Sequence, residues 1–218
     1  MPRPSHVEHL GGERYRAHFG EQSIELEATR ERSYSGFGND ELHIGSYRIA
    51  LRRLLYGGNP VGKSDVVLDA PCGGGYGTEL LSACCCAVGL DSDLTAVAFT
   101  RLRAPLVEIH QATLGTALPW PDGVFSAIVC IEGIEHVEQD TACMREFHRL
   151  LRNRGLLFIT TPERDRFEGS TRKREPSPFH VREYSQAEFA ALIHDAGFEI
   201  QAWDRDEWTM AVTAVRRD

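Results

Sequence analysis

Two acids flank a run of glycines at the most chemically pointed stretch of this 218-residue chain. Val66-Val67-Leu68-Asp69 is a short apolar run ending in an acid. Ala70-Pro71-Cys72-Gly73-Gly74-Gly75-Tyr76-Gly77 follows, and Thr78-Glu79-Leu80-Leu81 then opens a helical pattern. The order reads as strand, glycine-rich turn, helix. Glycine has no Cβ, so backbone at such a turn can approach a ligand closely. In an open parallel sheet, ligands sit at the carboxyl ends of the strands, which places a binding site at this turn. Ala87-Val88-Gly89-Leu90-Asp91 repeats the pattern of an apolar run ending in an acid, and Asp91 lies 91 − 69 = 22 positions after Asp69. That is the span of a strand, loop, helix and strand, and an acid at the second strand's end suits a pair of ribose hydroxyls. A nicotinamide site calls for G-x-G-x-x-G straight after the strand, and a phosphate-cradling loop for G-x-x-x-x-G-K-[ST]; this stretch reads D-x-P-C-G-x-G-x-G instead.

A second constellation follows the apolar run that ends at Ile131. Glu132 and Glu135 are spaced i, i+3, and Glu132 and His136 are spaced i, i+4. On a helical turn all three share one face. Two carboxylates and an imidazole make a divalent-metal face, the histidine favouring iron, zinc or manganese over magnesium. Without a metal, the histidine suits a general base or a substrate contact. A structural role is the third alternative, and the spacing leaves all three open.

At these residues the chain resembles the class I S-adenosylmethionine-dependent methyltransferases, and the likeness runs from about Val66 to Val215. It continues through Ala117-Leu118-Pro119-Trp120-Pro121-Asp122-Gly123-Val124-Phe125-Ser126-Ala127-Ile128-Val129. It goes on through Glu132-Gly133-Ile134-Glu135-His136-Val137 and Gly155-Leu156-Leu157-Phe158-Ile159-Thr160-Thr161-Pro162. The resemblance implies S-adenosylmethionine as cofactor, bound by Asp69, Pro71, Cys72, Gly73, Gly75, Asp91, Ser92, Thr113, Leu114 and Ile131. Two of these depart from the family pattern. Pro71 stands where the first glycine is usual and cannot donate an N–H. Thr113 stands near a position commonly held by an acid, and accepts a hydrogen bond without charge. Two branches of the family, the small-RNA 3′-terminal 2′-O-methyltransferases and the ubiquinone-pathway O-methyltransferases, carry a similar E-x-x-E-H. The first also uses a later histidine, which adds His180 in Ser177-Pro178-Phe179-His180-Val181-Arg182-Glu183-Tyr184. The implied metal set is Glu132, Glu135, His136 and His180; the implied catalytic residues are His136, Glu135 and His180.

The elements that must position these groups alternate. Strands are expected near Val66, Val88 and Leu106, at Ala127 to Ile131, at Leu156 to Thr160, near Phe198 to Ala202, and at Thr209 to Val215. Helices are expected at His43 to Tyr56, from Gly77, from Leu94, at Gln139 to Leu151 and at Gln186 to Ala196. Such alternation gives an α/β, Rossmann-like, mostly parallel sheet with helices on both faces; the resemblance implies an antiparallel last strand. Residues 1–55 read as a polar, broken helical stretch, with Glu25, Glu27, Arg30, Glu31 and Arg32 crowded together and Gly36, Gly38, Asn39 and Asp40 interrupting it. They are expected to form a helical lid on a cofactor-binding domain at 56–218. His43, Tyr15, Tyr34 and Trp120 are candidates to line an acceptor pocket.

Composition bounds the partners. A hydrophobic fraction of 42% and a charged fraction of 26% are ordinary for one globular domain. The net charge of −8 argues against a nucleic-acid partner, because such binding draws on basic contacts. A local basic run at Arg164, Arg166, Arg172, Lys173 and Arg174 reads as a solvated loop. The six cysteines include Cys84-Cys85-Cys86 and show no zinc spacing, which fits a reducing, cytoplasmic setting. No long apolar segment marks a leader or a membrane span. The expectation is an enzyme, monomer or homodimer, that methylates the hydroxyl of a small molecule, with or without a divalent metal. The alternatives are an RNA 3′-terminal 2′-O-methyltransferase, a nicotinamide-dependent oxidoreductase and a non-catalytic cofactor-binding partner.

Overall fold

The computed structural model describes residues 6–11, 14–19, 22–27, 41–167, 179–205 and 209–218. At the amino end, β1 (His6–Gly11), β2 (Arg14–Phe19) and β3 (Gln22–Glu27) pair antiparallel in one sheet, with His6 opposite His18 and Arg14 opposite Glu27. The helical expectation for this stretch is thereby corrected. Arg14-Tyr15-Arg16-Ala17-His18-Phe19 and Gln22-Ser23-Ile24-Glu25-Leu26-Glu27 alternate polar and apolar residues, a period of two that suits a strand. Crowded charges mask that alternation. The helical reading does hold for α1 (Glu41–Tyr56). Tyr34 and the glycines at 36 and 38 lie outside the described residues.

The main sheet has seven strands. They are β4 (Val66–Asp69), β5 (Cys86–Asp91), β6 (Glu108–Gln111), β7 (Phe125–Cys130), β8 (Leu151–Pro162), β9 (Phe198–Arg205) and β10 (Thr209–Arg216). Their order is β6-β5-β4-β7-β8-β10-β9. The first five pair parallel, whereas β10 runs antiparallel to both neighbours, as the resemblance implied. The helices α2 (Tyr76–Ser82), α3 (Leu94–Arg103), α4 (Asp140–Leu150) and α5 (Gln186–Asp195) begin close to the expected positions. Strand β8 starts at Leu151, so the helix before it ends one residue sooner than expected.

Period-two alternation decides which helix covers which face. Leu68, Ile128, Leu157 and Ile159 pack with Met144, Phe147, Phe189 and Ile193 of α4 and α5. The intervening residues Val67, Ala127, Val129 and Phe158 face Tyr47, Ala50 and Leu54 of α1 and Leu81 of α2. Each fully buried Leu or Phe contributes about 1.5–3 kcal/mol. Thus α1 is a packed member of one face of the sheet. Of the three adjacent cysteines, only Cys85 is core; Cys86 is exposed and donates to the Lys63 carbonyl. Among the described residues, no helix is long and apolar enough to cross a membrane.

Candidate functional site

A cavity of about 700 Å³ opens at the carboxyl ends of β4, β5 and β7. Eight of the ten residues expected to hold the cofactor line it: Pro71, Cys72, Gly73, Asp91, Ser92, Thr113, Leu114 and Ile131. The other two, Asp69 and Gly75, stand behind that wall. Gly75 takes φ 75°, and a Cβ there would fall 2.3 Å from Thr100 Cγ2, so this glycine serves the packing of α3 beneath the loop. Gly73, at φ 51°, meets no atom within 4 Å of its missing Cβ. Its side of the loop is open to a ligand.

The loop is held from several directions. The Asp91 carboxylate accepts from the backbone N–H of Gly73 at 2.8 Å and of Asp93 at 2.9 Å. Thr100 donates its hydroxyl to the Gly73 carbonyl at 3.0 Å. Behind it, Asp69 is fully buried, and its two carboxylate oxygens accept separate hydroxyls, from Tyr47 at 2.7 Å and from Thr78 at 2.6 Å. Burial pushes the Asp69 carboxyl up to about 7; the two hydroxyl donors oppose that rise and the nearby Asp91 adds to it.

The second constellation divides. Residues 134–136 form one 3-10 turn, with Glu132 outside it. Glu132 adopts φ 47°, uncommon for a residue with a side chain. Its N–H donates to the Thr160 hydroxyl at 3.0 Å, and that hydroxyl donates to the Glu132 carboxylate at 3.0 Å. The single helical face expected for Glu132, Glu135 and His136 is therefore not formed. Glu135, His136 and His180 do converge, each offering a ligand atom within 4.8 Å of the others. Two bonds bring His180 in: Val181 and Arg182 donate their N–H groups to the Glu135 carbonyl at 2.8 and 3.2 Å. The two imidazoles meet edge to face at 5.0 Å.

Protonation follows from the partners. His136 Nδ1 lies 3.2 Å from the Phe179 carbonyl, which can only accept, so Nδ1 carries the proton of the neutral ring and Nε2 is basic. His180 Nδ1 donates to the Glu183 carboxylate at 2.8 Å, which leaves Nε2 on the other edge of the ring. Glu135 is fully buried. One oxygen accepts from the Thr161 hydroxyl at 3.1 Å; the other, Oε1, has no hydrogen-bond partner. Burial first, and Glu132 second, push its carboxyl well above the ordinary range. His136 and Glu132 line the cavity, while Glu135 and His180 stand behind it.

Sequence reasoning missed several residues. Tyr47, Tyr76, Gln139 and Phe179 line the cavity, and Thr160 and Thr161 hold the two glutamates. The threonines end the strand beside β7, a signal that the order of the sheet would have given. Trp120, a candidate for the acceptor pocket, instead packs edge-on between His110 and Phe125, at 4.8 and 5.2 Å. The side chains of Tyr15 and His43, and the residues 172–174 of the basic run, lie outside what the structure describes.

Comparison with known proteins decides the family. Residues 68–159 match the family model described as a methyltransferase domain. A probable S-adenosylmethionine-dependent methyltransferase of Mycolicibacterium smegmatis is 34% identical over 177 residues, covering 81% of this chain and 66% of the relative, and one of Mycobacterium tuberculosis is 42% identical over 135 residues, covering 61% of this chain and 48% of the relative. The chain belongs to the class I S-adenosylmethionine-dependent methyltransferases. Within that family, the ubiquinone biosynthesis O-methyltransferase of Pseudomonas aeruginosa is 31% identical over 104 residues, 45% of each chain. The chain thus spans about half to two thirds of the length of these curated relatives. The methyltransferase fold itself recurs in the YcgJ protein of Bacillus subtilis, with TM-score 0.66 at 17% identity over 81% of this chain and all of that one.

Proposed function

We propose that this methyltransferase transfers the methyl group of S-adenosylmethionine to a hydroxyl of a small molecule, with His136 taking the hydroxyl proton. The carrying observation is the placement of His136: it lines the cavity beside the cofactor loop, with Nδ1 held by the Phe179 carbonyl and Nε2 basic. The cofactor supplies an electrophilic methyl group. Asp91 and the backbone around Gly73 would hold its ribose and methionine ends, and Thr113 and Leu114 would border the adenine. The chain then has two tasks: to align the acceptor oxygen with the methyl carbon, and to take up the proton. Asp91, Glu132 and Glu138 all line the cavity, and their charge suits the cationic cofactor and a neutral acceptor better than a phosphate-bearing one. The likeness to the ubiquinone biosynthesis O-methyltransferase supports oxygen as the accepting atom. Of the residues before about Leu55, expected to close over the acceptor, those of α1 are packed on the sheet, and the closing role falls to the stretch ahead of it.

A second reading rests on Glu135. Its orphaned buried oxygen, with two imidazoles whose Nδ1 atoms are already engaged, is a donor set that fits a divalent ion. Glu135, His136 and His180 would hold it, and its chemistry there would be to lower the hydroxyl pKa. The test is turnover of labelled S-adenosylmethionine against a set of hydroxyl compounds and a short RNA. His136→Ala should lower the rate by about 10²–10⁴ if His136 is the base. Full activity in excess chelator, with no metal by elemental analysis, would remove the metal reading. Transfer to the RNA alone would overturn the small-molecule acceptor.

A further inference from the structure

The buried face of α1 carries a tyrosine whose hydroxyl is spent on the cofactor loop. Tyr47 is 3% exposed, and its hydroxyl donates to Asp69 Oδ1 at 2.7 Å. Thr78, at the start of α2, donates to Oδ2 at 2.6 Å. The carboxylate at the end of β4 is therefore gripped by α1 and by α2, on the two sides of the glycine loop that begins at Ala70. The ring is fixed as firmly as the hydroxyl. A Cβ on Gly77 would fall 1.9 Å from Tyr47 Cζ, so the glycine of the first helical turn exists in register with this tyrosine. Tyr47 and Tyr76 meet edge to face at 5.6 Å, and both line the cavity. Further along, α1 is fixed to the far end of the sheet by Arg53, whose Nε and Nη2 donate to Asp204 Oδ2 at 2.9 and 2.8 Å.

We propose that Tyr47 is a positioning residue that links the docking of α1 to occupancy of the cofactor cavity. It acts through Asp69 and Gly77. Where the loop is held in its ligand-binding shape, Asp69 and Gly77 present the surface on which Tyr47 seats; where α1 is seated, the loop is restrained. Two equilibria coupled through one contact strengthen each other by the same factor, whichever is measured. The link rests on the assignment of the cavity to S-adenosylmethionine. Beyond that assignment, the helix ahead of the domain senses whether the cavity is filled.

The experiment uses the full chain and the demethylated product, S-adenosylhomocysteine, as the probe. Its affinity is measured by calorimetry in the wild type and in Tyr47→Phe, which keeps the ring and removes the hydroxyl. Amide hydrogen exchange in α1 is followed in both, with and without the probe. Loss of one hydrogen bond to a buried carboxylate should weaken probe binding about three- to tenfold. The probe should slow exchange in α1 of the wild type, and the slowing should shrink in Tyr47→Phe by the same factor as the affinity. A merely structural tyrosine would lower protection equally with and without probe. Asp69→Asn, which keeps the shape and removes the charge, should show the same narrowing, and it decides the matter if Tyr47→Phe does not fold. Exchange in α1 that is indifferent to the probe, or a narrowing absent from both variants, would overturn the link. Absence of probe binding by the wild type would overturn the cavity's assignment, and with it the link.

Discussion

Asp91 and Asp69 lie 22 positions apart in sequence and do different work. Asp91 borders the cavity and holds the Gly73 and Asp93 N–H groups; a carboxylate has about four lone-pair sites, enough to accept from a ribose as well. Asp91→Ala should weaken binding of the cofactor product tenfold or more, each charge-assisted bond being worth about 1.5–3 kcal/mol; calorimetry with an unchanged affinity would refute this. Asp69 stands behind the cavity wall, off the ligand's path, and bears also on stability. Its carboxyl is raised by burial from an ordinary 3.8 to about 7. Between those values the folded chain holds a proton that the unfolded chain releases. This group's contribution is therefore fully present below about pH 4 and lost as pH rises toward 7. Asp69→Asn cannot titrate and is spared that loss. Denaturant unfolding at pH 5 and pH 8 should show the variant gaining about 2–3 kcal/mol on the wild type across that interval. A constant difference between the two proteins would contradict the buried, proton-holding carboxyl.

At the scale of elements, the loop after β6, which leads away from the cavity wall at Thr113 and Leu114, depends on a clamp from α4. Arg149, in its last turn, donates to the carbonyls of Leu118 and Trp120 and to the carboxylates of Asp122 and Glu146, while Glu146 accepts the Leu118 N–H. The loop after β6 carries the Leu-Pro-Trp-Pro-Asp stretch, which has little regular structure of its own, so these bonds fix its course. The guanidinium matches several acceptors at once, which a lysine cannot do. Arg149→Met should cost about 1–3 kcal/mol and lower the Tm by roughly 2–10 °C, read by thermal melting. A melt within about 1 °C of wild type would show the loop to be held by Trp120 packing alone. The same logic explains β8: Thr160 and Thr161 are adjacent, so they point to opposite faces of the sheet, yet each finds a glutamate, because the chain turns sharply at Glu132.

For the molecule as a whole, the amino-terminal stretch separates into parts with different consequences. Helix α1 places Tyr47, Ala50 and Leu54 in the core. Removing residues 1–56 exposes the face they cover and should cost several kcal/mol, at about 1.5–3 kcal/mol for a large apolar side chain, so that chain should fail to melt cooperatively. Removing residues 1–40 leaves that face covered. It should keep the fold and the affinity for the cofactor product, and lose turnover if the stretch closes over the acceptor. Normal turnover in the shorter deletion would dismiss the closing role.

Local and periodic features are legible in the chain before it folds. The run from Val66 to Gly77, the second acid at Asp91 and the alternation of elements are all set by neighbours a few positions apart, and strand, loop and helix follow from them. Period two in Arg14–Phe19 is equally legible, though the crowded charges around it obscure it. Tertiary structure decides what spacing cannot. Whether Glu132 shares a face with Glu135 depends on a backbone turn at φ 47° and on a hydroxyl from β8. Whether Asp69 meets the cofactor depends on two hydroxyls, from α1 and α2. Tyr47 reads as one more residue of a polar helix, because nothing within a few positions of it announces Asp69 or Gly77. Periodicity reports which face of an element is buried; only the packed chain reports what that face is buried against.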